Sequence, residues 1–290
     1  MSFSSEIKEE LSKISNLVNK EFVQAELIGY LISNNTNIIV DNVKFATESE
    51  YNINRFSKLL NNANILDYQI DMQGKSFVIT FNKNEITELI KEHNNRFYIE
   101  KIKNDEEYIK ALVRGIYLGS GSMNNPENKY HLEISLATKQ SAIIVLNKLK
   151  ESNINLKLLE GNNSNSLYIK DGEEISKFLA FIGANSSVLK FEEIRVTRHM
   201  NNKVNRLVNC ETANMNKTMN AAVEQIEAIQ HLKNIKKFEK LEDSLKEIAQ
   251  VRLEHPEAPL SELGAYLKNP IGKSGVNYRL KKIIEISKEN

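Results

Sequence analysis

Cysteine is almost missing from this chain. Cys210 is the single copy in 290 residues, which excludes an internal disulfide and any CxxC or Cys/His spacing for zinc. The histidines His93, His131, His199, His231 and His255 are scattered and form no HxxxH or HxH pair, so neither a metal nor another cofactor is expected. No apolar run approaches the ~20 residues that a membrane helix needs. The first residues, MSFSSEIKEELSKI, are polar and lack the apolar stretch of a signal peptide. The expectation is a cytoplasmic protein that makes no membrane contact.

A strong excess of either charge is missing too: 39 basic residues stand against 38 acidic ones. The near balance hides an uneven distribution. Residues 1–197 hold 23 basic and 26 acidic side chains, net −3, and residues 198–290 hold 16 and 12, net +4. Within residues 268–288, Lys268, Lys273, Arg279, Lys281, Lys282 and Lys288 stand against Glu285 alone. A polyanion is therefore expected to meet mainly the C-terminal end. At ~100 to 200 residues per domain, the length predicts two or three domains.

Two helical stretches share one pattern. AELIGYLISNN places Ala25, Gly29 and Ser33 four apart, and ALVRGIYLGSG places Ala111, Gly115 and Gly119 likewise, each 86 residues further on. Small residues at that spacing make a flat stripe on which another helix backbone can come close, so the two helices are expected to pack together. Strand-like runs follow each stripe. After the first come NIIVDNVKFAT and YQIDMQGKSFVITF, with Gly74 at the turn and helices near 52–63 and 84–93. After the second come KYHLEISLAT, INLKLLEG and NSLYIKD, with helices near 139–152 and 173–183, then a last strand KFEEIRVTR. Alternation at Val40, Val43 and Phe45, and at Phe77, Ile79 and Phe81, suits sheets covered on one face by helices. The pattern reads as two related α+β halves; the competing reading is a chance match of small residues.

The C-terminal stretch reads as three helices. Leu241, Leu245, Ile248, Ala249 and Arg252 define the face of a first, stopped at His255 and Pro256. Pro259 and Ser261 open a second, with Ser261 as N-cap, Leu260, Leu263 and Leu267 inward and Gly264 allowing close packing. Asn269, Pro270 and Gly272 turn the chain, Ile271 plugs the turn, and Ser274 caps a third helix. On that helix Val276, Leu280, Ile283 and Ile284 form the inner stripe. The outer face then collects Gly275, Tyr278 and Lys282, flanked by Arg279 and Lys281, with Asn277 near the edge. Helices of this kind are read from their N-terminal residues, which puts Lys273, Ser274, Gly275, Asn277, Tyr278 and Arg279 first in line for DNA.

Between the halves and these helices, NRLVNCETANMNKT is distinctive. Asn205, Arg206, Thr212 and Asn214 are possible phosphate contacts. The plainer reading is that short polar side chains cap a helix beginning near Met215 and that Cys210 is a small packed residue. From Thr218 a helical connector is expected.

The stripe with its flanks, LVRGIYLGSGSMNNPENKYHLEI, resembles the signature helix of LAGLIDADG homing endonucleases. With NRLVNCETAN and SGVNYRLKKI, nearly the whole chain resembles the WhiA family of bacterial DNA-binding regulators. The resemblance implies an α+β fold: a duplicated αββαββα LAGLIDADG homing-endonuclease-like domain, then an all-α helix-turn-helix domain similar to region four of sigma factors. It divides the chain into an N-terminal helix (1–20), two halves (21–103 and 104–198), a helical linker (199–237) and the helix-turn-helix (238–290). In the endonucleases, an acidic residue near the end of each signature helix binds a divalent metal; the matching positions here are Asn34 and Ser120. Neither supplies the carboxylate that a metal-dependent cleavage site needs, so no enzyme activity is expected. The implied partners are double-stranded DNA and transcription or division proteins, and the implied roles are transcription, cell division, chromosome segregation and, in spore-formers, sporulation. A monomer associated with the nucleoid is expected. Whether the first domain meets DNA, protein or a small ligand stays open.

Overall fold

Short polar side chains start nearly every helix of the N-terminal two thirds, because their oxygens accept from the otherwise unpaired N–H groups of the first turn. Ser2 caps α1 (Phe3–Ser12), Asn19 caps α2 (Lys20–Leu31) and Ser49 caps α3 (Glu50–Asn62). Asp105 caps α4 (Glu106–Ser120), Thr138 caps α5 (Lys139–Glu151) and Asp171 caps α6 (Gly172–Ile182). The computed structural model describes residues 2–15, 17–159 and 165–289. They form two compact units, Met1–His199 and Met200–Asn290.

In the first unit the duplication is explicit. Strands β1 (Thr36–Ile39), β2 (Asn42–Thr47), β3 (Tyr68–Gln73) and β4 (Ser76–Asn82) form an antiparallel sheet in the order β1-β2-β4-β3. A small hairpin, β5 (Lys91–His93) and β6 (Arg96–Tyr98), ends the first half. In the second half, β7 (Ser122–Met123), β8 (Leu132–Ser135), β9 (Lys157–Leu158) and β10 (Ser166–Ile169) repeat the order as β7-β8-β10-β9. Helices α2 and α4 lie side by side at the centre. One core built from Leu27, Tyr30, Leu31, Leu112, Ile116 and Leu118 of these helices extends to Phe45, Phe56, Leu132 and Phe178.

Two expected elements differ. The helix near 84–93 is only a 3-10 turn, Lys83–Ile86, after which the chain enters β5. KFEEIRVTR is helical, not a strand, and lies in α7 (Asn185–Asn234). Val188 and Phe191 are three apart, a helical spacing that buries Phe191 against Phe3 and Tyr130. Glu10 of α1 accepts from the first turn of α7, at 2.6 Å from Ser186 N and 2.9 Å from Ser187 N. Residues 160 and 161 of the expected run INLKLLEG lie outside the described residues.

Both hairpins of the first sheet turn through two residues, the first at positive φ: Val40 (57°) in one and Gly74 (63°) in the other. Glycine suits that geometry, whereas a β-branched residue there is strained. Val40→Gly is expected to raise stability by about 1 kcal/mol. The thermal midpoint should rise; a fall would mean that the exposed valine contributes packing its surroundings do not show.

In the second unit, the end of α7 packs through Ala228, Ile229 and Leu232 on α8 (Asp243–Glu254), α9 (Leu260–Ala265) and α10 (Lys273–Lys288). Leu245, Ile248, Ala249, Leu263, Leu267, Val276, Leu280 and Ile283 complete this separate core.

Candidate nucleic-acid interface

Helices α9 and α10 are held at a tight turn by two features. A Cβ on Gly264 would sit 2.2 Å from the Ile271 carbonyl, so the backbone after the turn passes directly over α9 and only glycine fits. Arg252 is fully buried at the end of α8, where it donates to the carbonyls of His255, Pro256 and Ala258 at 3.3, 3.2 and 2.9 Å. Burial pulls its pKa down, and the three carbonyls hold the loop that leads to α9. His255 stacks on Tyr266 at 4.2 Å across the same corner. Arg252 was legible as a member of the inner face but not as this clamp.

Neither expected serine cap forms. Pro259 and Gly272 are the N-caps of α9 and α10 and make no side-chain cap bond; Ser261 and Ser274 each stand second in their helix, exposed. The extended backbone of Pro259 (φ −65°, ψ 157°) leads straight into α9, and its carbonyl accepts from Glu262 and Leu263.

The exposed face of α10 is rotated from the expected one. Lys273, Ser274, Tyr278 and Lys281 are exposed, with Tyr278 at 66%. Gly275 is half-buried against Ile271, and Asn277 is half-buried at the edge. Arg279 and Lys282 lean toward the start of α8: Lys282 Nζ lies 3.1 Å from Glu242 Oε1, and Arg279 Nη1 reaches the Ser244 carbonyl at 3.5 Å. The hydrogen bond and charge of Glu242 raise the Lys282 pKa. Acidic Glu242 precedes α8 by sequence, and only the packing of α8 against α10 reveals it as the neighbour of Lys282.

Asn205, Arg206, Thr212 and Asn214 all lie exposed within α7, so NRLVNCETAN does not cap a helix that begins near Met215. Within it, Asn214 Nδ2 donates to Cys210 Sγ at 3.8 Å, one turn back along the helix. Cys210 is exposed rather than packed.

In the first unit, the positions matching the endonuclease metal ligands are used otherwise. The Ser120 hydroxyl donates to the Ser135 carbonyl and accepts from Ser135 N at 3.2 Å, which ties the end of α4 to β8. Asn34 is exposed, and its N–H donates to the same Ser135 carbonyl at 3.0 Å. Among the described residues, no three His, Cys, Asp or Glu side chains gather as a metal site would require.

A duplicated LAGLIDADG-like scaffold, with Asn34 and Ser120 at its metal-ligand positions, followed by three packed helices with a tight turn defines the class: a LAGLIDADG-like domain joined to a helix-turn-helix domain. The model of the WhiA LAGLIDADG-like domain matches residues 109–201, and that of the WhiA C-terminal HTH domain matches 204–287. The probable cell division protein WhiA of Clostridium tetani is 36% identical over 314 residues, covering 100% of this chain and 98% of the relative. That of Clostridium botulinum strain Hall is 35% identical over 311 residues with the same coverage, 100% and 98%. The solved full-length DUF199/WhiA from Thermatoga maritima superposes with a TM-score of 0.61 at 30% identity, covering 99% of this chain and 98% of that one. The chain belongs to the WhiA family.

Proposed function

We propose that the chain is a sequence-preferring DNA-binding regulator whose α10 reads duplex DNA and whose scaffold does not cleave it. The observation that carries this is the face of α10: Ser274, Tyr278 and Lys281 stand exposed on the side opposite Val276, Leu280 and Ile283. Lys273 at the first turn and Lys281 further along supply phosphate contacts, while Ser274, Asn277 and Tyr278 reach base edges. Arg279 and Lys282 join on release from the start of α8. Ser261, exposed at the start of α9, meets the backbone. The Clostridium relatives are named probable cell division proteins, which supports a role in cell division; the proposed role includes chromosome segregation and, in spore-formers, sporulation. The process acts at the nucleoid, in the cytoplasm. With an asparagine and a serine at the metal positions, the scaffold has no carboxylate pair to hold magnesium.

The test selects bound sequences from random duplex DNA with the full chain and then compares two variants. Tyr278→Ala should weaken the selected sequence by about 1 to 3 kcal/mol and unrelated duplex far less. Lys281→Ala should weaken all sequences alike and lower the slope of log affinity against log salt by about 1. Equal, sequence-independent losses from both would show that this face does not read DNA. Plasmid incubated with the chain and magnesium should stay intact.

A second reading has its own observation. Met200, Val204, Leu207, Met215 and Met219 stand exposed on α7, more apolar surface than a solvated helix needs. A transcription or division protein seated there would make the chain a recruiting scaffold, with DNA contact secondary. Phosphate contacts from Asn205, Arg206, Thr212 and Asn214 are the alternative use of the same helix.

A further inference from the structure

Next to Asn34, a cleft of about 460 Å³ opens between the start of α1, the loop after α2 and the start of α3. Its lining is polar: Ser5, Lys8, Asn34, Asn37, Glu48 and Ser49 all face it. Two helix N-termini line it, those of α1 and α3, capped by Ser2 and Ser49, whose side chains accept from Ser5 N and Asn52 N. The side chains of Asn34 and Asn37 make no hydrogen bond to protein among the described residues.

Lys8 is the unusual member. It has no ion-pair or hydrogen-bond partner among the described residues, and Glu48, across the same cleft, is not within salt-bridge distance of it. The residue as a whole is half-buried, but its ammonium is enclosed deeply enough that desolvation alone draws its pKa down to about 8. The group is therefore still largely protonated near neutral pH. Enclosing an ammonium without a counter-charge is unfavourable, and proteins keep such groups where a ligand completes them.

We propose that this cleft binds a small phosphorylated ligand, its phosphate held by Lys8 and the N-terminal ends of α1 and α3. A phosphate matches the lysine and both helix ends. The volume falls within the roughly 300 to 1,000 Å³ range of small-molecule sites. Glu48 and the amides of Asn34 and Asn37 suit hydroxyl groups on the body of the ligand, as on a phosphorylated sugar or a nucleotide. A DNA backbone carries the same phosphate chemistry, but Glu48 and the net −3 of residues 1–197 oppose it.

Calorimetric titration of the full chain with ribose 5-phosphate, AMP and inorganic phosphate tests the proposal, with duplex DNA as a parallel arm. The wild-type chain should bind at least one phosphate probe. Lys8→Met should weaken that binding by about tenfold or more, and Lys8→Arg should retain most of it, because guanidinium also pairs with phosphate. DNA affinity should be unchanged in both variants. Absence of binding by all three probes, or equal binding by Lys8→Met, overturns the proposal. So does a Lys8→Met chain that loses DNA affinity alone. A second measurement needs no variant: acylation of Lys8 in the wild-type chain, followed by peptide mass spectrometry, should slow several-fold when the bound probe is present. Equal rates with and without it overturn the site.

Discussion

Glu26→Ala is expected to destabilise the first unit by about 3 to 5 kcal/mol, because it breaks a buried ion pair from one side. Glu26 lies on α2 at the centre of the scaffold with 1% exposure. Its carboxylate takes Arg55 in a two-point grip, Oε1 to Nε at 2.7 Å and Oε2 to Nη2 at 2.8 Å. Arg114 of α4 adds Nη1 to the same Oε2 at 3.3 Å. Both guanidiniums continue outward, Arg55 to the Ile14 carbonyl and Arg114 through Nε to the Ile182 carbonyl at 2.9 Å. Burial draws the Arg55 pKa down, but the hydrogen bonds and charge of Glu26 more than reverse it, so the net direction is upward. With alanine at 26, two buried cations lose the carboxylate they share and face each other across the gap. Against a typical domain stability of roughly 5 to 15 kcal/mol, that is a large fraction. Urea unfolding should show the midpoint drop steeply for Glu26→Ala and less for Glu26→Gln, which keeps one acceptor oxygen. A loss below about 1 kcal/mol for Glu26→Ala would mean that water enters the site and screens the guanidiniums.

That cluster was invisible in the sequence, and the reason is general. Glu26 pairs with residues 29 and 88 positions away, and no local pattern links them. The one available signal was a glutamate inside the apolar run AELIGYL, since a buried carboxylate requires a buried partner. What is periodic was legible. The stripes at Ala25, Gly29 and Ser33 and at Ala111, Gly115 and Gly119 gave the duplication, and the alternation in VKFAT and SFVITF gave the sheets. What depends on a neighbour from elsewhere was not. KFEEIRVTR mixes alternating and helical spacing, and Phe3 and Tyr130 decide for the helix. On α10 the inner stripe was correct, but the outer face turned, because Glu242 draws Lys282 aside. Ser274 and Ser261 carry the right chemistry for caps but stand two positions after the N-caps of their helices.

Gly115→Ala sets two effects of opposite sign against each other. In an isolated helix alanine is better than glycine by roughly 1 kcal/mol. In this fold a Cβ on Gly115 would lie 2.0 Å from the Glu26 carbonyl oxygen and 3.1 Å from the Gly29 Cα. The mirror case is equal: a Cβ on Gly29 would lie 2.2 Å from the Leu112 carbonyl oxygen. All of these obstacles are backbone, so no side-chain rotation relieves them, and α2 and α4 must move apart. Separating them loosens the packing of Tyr30, Leu31, Ile116 and Leu118 on both sides, which overpacking data put at about 1 to 3 kcal/mol or more. The steric term wins, and thermal unfolding of Gly115→Ala should show a clear loss. Gly29→Ala should match it. The double variant should lose less than the sum of the two, because once one methyl has pushed the helices apart the second enters space already opened. Additive losses would instead mean that each helix bends locally and that α2 and α4 stay in contact. A gain in stability for either single variant would show that the close approach of the two backbones does not hold the halves together.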